Sequence, residues 1–142
     1  MVEVYCSGVK LRWVVDQVAG ARTVAQGGEL ALGNVDSGLI WQLTEGRVHV
    51  TDVSNAARTM LFNVHTNQWD AELLRELDIP SALMPTVRPS SADFGQTSPK
   101  FLGAPVHIRT AAGHQPSPVF GQAPVPAGQA QPPLRPRLAH PA

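Results

Sequence analysis

Residues 51–63 read TDVSNAARTMLFN, and the five residues before them, 46–50, read GRVHV. The two valines of GRVHV alternate with polar residues, which predicts a short strand with one apolar face. Thr51 and Asp52 then offer side-chain oxygens to backbone N–H groups, so we expect a helical turn over residues 54–57. The Met-Leu-Phe run that follows is suited to a buried strand or the edge of a core. These signals are structural, and by themselves they name no function.

The overall composition fits one modest domain. The chain has 142 residues, enough for one core and too few for two. Its 11 basic and 11 acidic residues balance, so electrostatics gives no support for a nucleic-acid or membrane partner. The single cysteine, Cys6, excludes an internal disulfide, and the five histidines lack zinc-ligand spacing. With no apolar run of transmembrane length and no leader-like N-terminus, we predict a cytosolic protein.

Further helix and strand signals lie on both sides of the central stretch. The predicted helices cover residues 5–17, 21–26, 39–43 and 71–77. Asp36 or Ser37 is the expected N-cap of the third helix, and Asp70 is that of the fourth. The charged residues of the fourth helix are interpreted as its solvent-facing side. Short strands are predicted at residues 94–97 and 106–108, on either side of a glycine-containing turn.

The composition changes towards the C-terminus, where prolines recur every few residues from Pro116 onward. Each proline removes a backbone donor and fixes φ, so a regular helix or central strand cannot carry that density. We therefore expect a domain over residues 1–121. Residues 122–142 are predicted to form a disordered or polyproline-like tail.

The spacing of residues 5–17, Tyr-x-Ser-x-x-Lys-Leu-x-Trp-Val-x-Asp-Gln, resembles a signature of the glycerol kinases, members of the sugar-kinase family. Residues 51–63 are similar to the middle of the same enzymes. The resemblance implies an α/β fold, an incomplete ribonuclease-H-like (actin-like ATPase) domain with a mixed sheet and flanking helices. It also implies that Tyr5 contacts glycerol, its phenol bonding a polyol oxygen while the ring covers the carbon chain. From the residues alone, Tyr5 is a structural aromatic beside a surface helix.

A second similarity lies at residues 112–115, Ala-Gly-His-Gln, which resemble the family's Ala-Gly-Asp-Gln motif. His114 stands where the family has its aspartate base, and Gln115 matches the glutamine that hydrogen-bonds glycerol. An imidazole accepts a proton at neutral pH, but it is bulkier than a carboxylate and cannot replace one beside Mg²⁺. His114 is therefore either a working base or, as we favour, a loop histidine uncoupled from catalysis. Pro116 and Pro118 are expected to distort the approach of Gln115 to a ligand.

This sequence also departs from the family at residues 37–38, where Ser-Gly replaces the usual Thr-Trp pair. Exchanging a buried tryptophan for a glycine in a helix costs on the order of several kcal/mol. We therefore expect weaker local stability here rather than altered chemistry.

The resemblance implies ATP and Mg²⁺ as cofactors and glycerol as substrate, yet the family's groups that bind ATP and Mg²⁺ are absent from this sequence. Its Asp-x-Gly-Thr-Thr-Ser loop and glycerol-binding Arg-Glu pair lie upstream of the signature, and its Gly-Thr-Gly turn lies downstream. The similarity runs from Tyr5 to about Ala130. We therefore expect a truncated, frame-disrupted or decayed part of a glycerol kinase's first domain, inactive by itself.

Two other functions remain open. A non-catalytic remnant or interaction module could pair with itself or with an intact kinase subunit, because strands without their neighbours have open edges. A proline-rich ligand of an adaptor domain rests only on residues 132–136.

Overall fold

The computed structural model describes residues 6–114 and 116–121, with the backbone alone for residues 118–120. The described residues fall into two units, one ending at Ala112 and the other beginning at Gly113. The first contains, in order, α1 (Ser7–Gln17), α2 (Ala21–Gln26), α3 (Val35–Leu43), β1 (Val50–Asp52), α4 (Val53–Ala56), β2 (Phe62–Asn63), β3 (Gln68–Trp69), α5 (Ala71–Glu76), a 3₁₀ turn (Ser81–Leu83), β4 (Thr86–Arg88) and α6 (Pro99–Leu102). The second contains α7 (Pro116–Gly121). The predicted tail, residues 122–142, lies outside the described residues. No helix within the described ranges is long and apolar enough to cross a membrane.

Within residues 6–114 the strands form two separate two-stranded sheets. β1 and β4 pair in parallel, with Thr51 opposite Val87. β2 and β3 pair antiparallel, with Phe62 opposite Trp69. The predicted α/β class is confirmed, but parallel and antiparallel pairing occur in two small sheets rather than in one mixed sheet.

Helices and loops pack on these sheets around two apolar clusters. The first contains the buried residues Val15, Ala25, Leu61, Leu74, Ile79 and Leu83. The second contains Ile40, Val50 and Phe94. Leu61 is the centre of the Met-Leu-Phe run and is fully buried, which confirms that this run reaches the core. The central stretch thus supplies both clusters, Leu61 to one and Val50 to the other.

The strand predicted at residues 46–50 lies further along the chain. β1 begins at Val50, where the predicted strand ended, and all three of its residues are buried. Thr51 and Asp52, expected as caps of the helical turn, therefore belong to the strand. Both are polar, and both are buried because their side chains are hydrogen-bonded inside the protein.

Helix boundaries agree with the sequence patterns except at α3. Asp70 caps α5 as predicted, accepting hydrogen bonds from the N–H groups of the second and third residues of the helix. α3, however, begins at Val35, and its N-cap residue is Asn34. The prediction of Asp36 or Ser37 as the cap was wrong. The Asp36 carboxylate instead accepts a hydrogen bond from Thr51 Oγ1 at 2.7 Å, in the neighbouring strand.

The two segments predicted as strands near the end of the first unit do pair. The Phe94 N–H donates to the Ile108 carbonyl at 2.8 Å, and the Thr97 N–H donates to the Val106 carbonyl at 2.9 Å. Between them the Ile108 N–H donates to the Gly95 carbonyl at 2.9 Å, and the φ of Gly95, 101°, lies in the region that favours glycine. The result is an isolated bridge rather than two regular strands.

The departure at residues 37–38 has a smaller structural effect than expected. Gly38 lies on the exposed side of α3, and a Cβ built there meets no atom within 4 Å. In the described structure this position is open, so the condition for a large loss of packing, a buried site, is not met here. What remains is the intrinsic cost of a glycine inside a helix.

Candidate functional site

Of the three site residues predicted from the resemblance, the structure describes one. Tyr5 and Gln115 lie outside the described residues. His114 is exposed in the turn before α7. That turn is held locally, since Ser117 donates from its Oγ to the Gly113 carbonyl at 2.8 Å. Among the three, the structure therefore places only His114.

α7 forms despite its two prolines. Pro116 and Pro118 both fall in its first turn, where a missing N–H has no partner to lose and φ near −65° suits the helix. The expectation that no helix could form amid these prolines was wrong for residues 116–121. The predicted distortion of Gln115 stays a prediction.

The densest polar arrangement in the first unit surrounds Asp52, at the end of β1. Its buried carboxylate accepts hydrogen bonds from the backbone N–H and side chain of both Ser54 and Asn55. A further bond of 2.6 Å comes from Ser90 Oγ. Asp52 is thus the predicted cap of α4, and it also fixes the segment that follows β4.

The hydrogen bonds around Asp52 favour its ionised form. Burial raises the pKa of its carboxyl, but the hydrogen bonds donated by Ser54, Ser90 and the α4 backbone lower the pKa below its usual value. Five donors already occupy the two carboxylate oxygens, which have about four lone-pair positions. A carboxylate in this state holds structure together and is unsuited to take a proton from a substrate.

A second buried group adjoins Asp52. Asp36 accepts from the Asp52 N–H at 3.3 Å as well as from Thr51 Oγ1, both through its Oδ2. Its Oδ1 and the Ser37 hydroxyl are buried without a hydrogen-bond partner among the described residues. Within those residues no three His, Cys, Asp or Glu side chains are grouped to hold a metal ion. The cluster therefore connects α3 to β1 through polar contacts.

A polar bridge also fixes the start of α1, immediately after Tyr5 in the sequence. Ser7 Oγ donates to Asn34 Oδ1 at 2.7 Å, and Asn34 Nδ2 donates to the Asn55 carbonyl at 2.9 Å. The Gly8 N–H donates to the Thr59 carbonyl at 2.9 Å. These contacts join the first turn of α1 to α3 and α4, and sequence analysis gave no sign of them.

A small cavity lies beside this bridge. It is lined by Ser7, Leu11, Gly33, Asn34, Thr51, Thr59, Trp69, Met84 and Pro85. Its volume of ≈ 10 Å³ is about what one water molecule requires. A three-carbon polyol does not fit, so this cavity is not a substrate site.

Comparison with known proteins extends these observations. The sequence profile of the FGGY family of carbohydrate kinases, N-terminal domain, matches residues 1–121. A glycerol kinase of Albidiferax ferrireducens is 63% identical over 123 residues, which are 87% of this chain and 25% of that protein. A glycerol kinase of Delftia acidovorans is 62% identical over 131 residues, 92% of this chain and 26% of that protein. The chain thus spans about a quarter of the length of these relatives.

Solved structures of sugar kinases also superpose on this chain. A Plasmodium falciparum glycerol kinase with ADP superposes with a TM-score of 0.76 and 28% identity, over 80% of this chain and 23% of that chain. A xylulose kinase of Lactobacillus acidophilus superposes with a TM-score of 0.66 and 24% identity, over 82% of this chain and 24% of that chain. The second likeness concerns the fold alone. Together they confirm the predicted sugar-kinase fold.

Proposed function

Since the chain belongs to the FGGY family of carbohydrate kinases, we propose that it is part of a glycerol kinase, an enzyme that transfers the terminal phosphoryl group of ATP to glycerol. One observation carries this proposal. Eight glycerol kinases are 57–63% identical to the chain over 123–131 residues. Because the identity covers most of the chain, this segment is expected to occupy the same place in the domain as in those enzymes.

In this proposal the chain supplies one wall of the glycerol site. The ring of Tyr5 covers the carbon chain of glycerol, and its phenol bonds a hydroxyl. Gln115 hydrogen-bonds a second hydroxyl. The support for this assignment is the resemblance of residues 5–17 and 112–115 to the glycerol kinase motifs.

His114 stands at the position from which a base accepts the proton of the attacking hydroxyl. The glycerol oxygen bonds to the terminal phosphorus, the bond from that phosphorus to the bridging oxygen of ADP breaks, and the hydroxyl proton passes to the base. A neutral imidazole accepts a proton but carries no negative charge to balance a nearby cation. We therefore propose that His114 makes the chain a poor phosphotransferase even in a complete enzyme.

ATP and Mg²⁺ are the cofactors of the proposed reaction, and we assign their binding to other parts of a complete kinase. The chain's own acidic groups do not fit a metal site: Asp52 is occupied by internal donors, and the described residues contain no cluster of three ligands. We accordingly propose that the isolated chain does not catalyse the transfer. We also propose a cytosolic location.

A graft tests the proposal directly. Residues 1–121 replace the matching residues of the Delftia acidovorans glycerol kinase, with His114→Asp introduced; we call this protein the grafted kinase. We expect glycerol-dependent formation of ADP, with kcat/KM within about tenfold of the unaltered kinase, since each tenfold is only about 1.4 kcal/mol of transition-state binding. A folded graft that binds ATP yet does not phosphorylate glycerol would overturn the proposal.

A second candidate function is an interaction module that associates with an intact kinase subunit. It is favoured by the outer face of α3, where Val35 and Leu39 are 88% and 57% exposed one helical turn apart. Light scattering after size exclusion of the chain mixed with the Delftia acidovorans kinase tests it. A joint peak that Leu39→Glu abolishes supports association, and two separate peaks in the parent mixture dismiss it.

A further inference from the structure

Residues 20–28, which we call the strap, pack against the first apolar cluster through few contacts. The strap consists of α2 and the glycines on either side of it. Ala25 is the one buried residue of this described segment, and it belongs to the first apolar cluster. α2 also contacts α1 and the 3₁₀ turn, which contribute Val15 and Leu83 to the same cluster. The strap is therefore anchored in the cluster by a single methyl group.

The backbone of the strap is hydrogen-bonded to its own surroundings in the sequence. In the described structure, the backbone hydrogen bonds of residues 20–28 reach no further than Val18 on one side and Glu29 on the other. The chain is bonded to a distant segment at Leu32, whose N–H donates to the Leu83 carbonyl at 2.9 Å. A helix of six residues without a side-chain cap is not stable by itself. The strap thus depends on side chains to stay in place.

Both ends of the strap turn at glycines with positive φ. The φ angle is 79° at Gly20 and 73° at Gly28. A Cβ at either position would meet no atom within 4 Å, so these glycines do not serve close packing. Glycine in open surroundings can change its backbone angles without displacing a neighbour. The two positions are therefore suited to act as hinges.

One side chain makes the polar contacts between the strap and other elements of the described structure. Arg22 donates to the carboxylate of Asp16 in α1, and at 2.6 Å to that of Asp78, which follows α5. Arg12 also pairs with both carboxylates, so two cations and two anions form one network. A network is the arrangement in which surface ion pairs contribute to stability. Because its side chains are 30–63% exposed, dissolved salt screens the attraction.

We infer that the strap is a salt-sensitive conformational device: it moves away from the first apolar cluster as one unit, turning at Gly20 and Gly28, and Arg22 holds it closed. Opening withdraws Ala25 from the cluster and breaks the ion pairs of Arg22, but it breaks no backbone hydrogen bond to another helix or strand. Such an opening requires much less free energy than global unfolding. It uncovers part of the apolar cluster, and it does not depend on the proposed function.

Hydrogen exchange followed by mass spectrometry tests this inference on the full chain. The amides of residues 24–27, inside the strap, should exchange at least about tenfold faster than those around Leu61, which is fully buried. Raising NaCl from about 0.05 M to about 1 M should speed exchange in the strap about three- to tenfold. Exchange around Leu61 should change by less than about twofold.

Two matched substitutions separate the network from charge in general. Asp78→Asn removes one partner of Arg22 from outside the strap, and the φ of 48° at this position is one that asparagine also adopts. It should speed exchange of residues 24–27 about three- to tenfold at low salt and reduce the salt effect by at least half. The control is Glu76→Gln, at an exposed carboxylate that pairs with the adjacent Arg75. It should leave exchange in the strap unchanged.

Limited digestion with trypsin gives an independent readout, because the bond after residue 22 becomes accessible when the strap opens. Arg22→Lys keeps this cleavage site and the charge but loses the forked guanidinium that bonds two carboxylates. Cleavage there, relative to the same bond in a synthetic peptide of residues 18–29, should be about three- to tenfold faster than in the parent chain.

The contradicting outcomes are distinct. Exchange of residues 24–27 as slow as that around Leu61 would overturn the inference. So would an Asp78→Asn strap that exchanges no faster than the Glu76→Gln strap. Fast exchange around Leu61 in Asp78→Asn would mean that this variant has unfolded. The cleavage rate of Arg22→Lys then decides, and a relative rate equal to the parent's overturns the inference.

Discussion

Ser90 donates a hydrogen bond of 2.6 Å from its Oγ to the carboxylate of Asp52, 38 residues earlier in the sequence. Asp52 is the last residue of β1, and Ser90 follows the last residue of β4 by two positions. Because β1 and β4 are parallel, their carboxyl ends lie side by side. This bond therefore joins the ends of the two strands. α4 follows the end of β1, and the segment leading to residues 94–97 follows the end of β4.

We expect Ser90→Ala to lower the free energy of unfolding by about 1 to 2 kcal/mol, because it removes a charge-assisted bond to a buried carboxylate. Asp52→Ala should lower the free energy of unfolding by more, about 2 to 4 kcal/mol, since it also removes the cap of α4 and leaves several hydrogen-bond donors without an acceptor. Urea denaturation followed by tryptophan fluorescence measures both. Ser91→Ala, at the exposed neighbouring serine, is the control and should change stability by less than about 0.5 kcal/mol. Equal effects of the two serine substitutions would contradict the assigned role of Ser90.

The pH dependence of stability should carry the signature of Asp52. Its pKa in the folded protein is lowered by the donors around it, below the unfolded value of about 3.9. Its contribution is thus fully present above that unfolded value and is lost as pH falls through the folded pKa. The stability difference between the parent chain and Asp52→Asn should therefore shrink between about pH 5 and pH 2. A difference that is constant over this range would contradict the prediction.

Two glycines near the start of α3 should respond oppositely to a methyl group. Gly38→Ala should stabilise the chain by about 0.5 to 1 kcal/mol, because its Cβ meets open space and alanine favours the helix. Gly33→Ala should destabilise it, since its Cβ would lie 2.7 Å from Ser37 Oγ, a buried atom. Thermal melting of the two variants measures both. The same sign for both would show that the packing around α3 differs from that described.

The His114→Asp substitution that the grafted kinase carries should give it a kcat for glycerol about 100-fold or more above that of the same graft with His114 retained, the usual contribution of a general base. KM for ATP should be unaffected, because the substitution acts on the proton of the attacking hydroxyl. Steady-state rates of ADP formation with the His114 and Asp versions provide the comparison. Equal turnover would mean that the histidine is itself a competent base, or that this position takes no part in the reaction.

Local signals predicted local structure well and long-range pairing poorly. The caps at Asp52 and Asp70 were foreseen because each carboxylate bonds to N–H groups two and three residues ahead. The roles of Asn34 and Ser90 were not, since their partners lie 27 and 38 residues away. Asp36 shows the competition between local and long-range hydrogen bonds. It has the sequence of a cap, but Thr51 in the adjacent strand takes its oxygen.

The fold class was predicted through resemblance, and so were the site residues. Nothing in the spacing of Tyr5, His114 or Gln115 marks a glycerol site without the related enzymes. Gly38 shows the limit of such transfer: the family has a tryptophan at this position, but the resemblance did not decide whether the position is buried, and here it is open. An alignment says which family position a residue corresponds to. It does not say which other segments pack against that residue.

The most direct measurement of the central claim is a competition between glycerol and D-xylulose for phosphorylation by the grafted kinase. Xylulose kinases have the same fold at 22–24% identity, so the fold alone does not decide the substrate. If residues 1–121 form the polyol wall of a glycerol kinase, kcat/KM should favour glycerol by at least about 100-fold, the discrimination that a few well-placed hydrogen bonds provide. Equal rates, or preference for xylulose by a folded and ATP-binding graft, would contradict the claim.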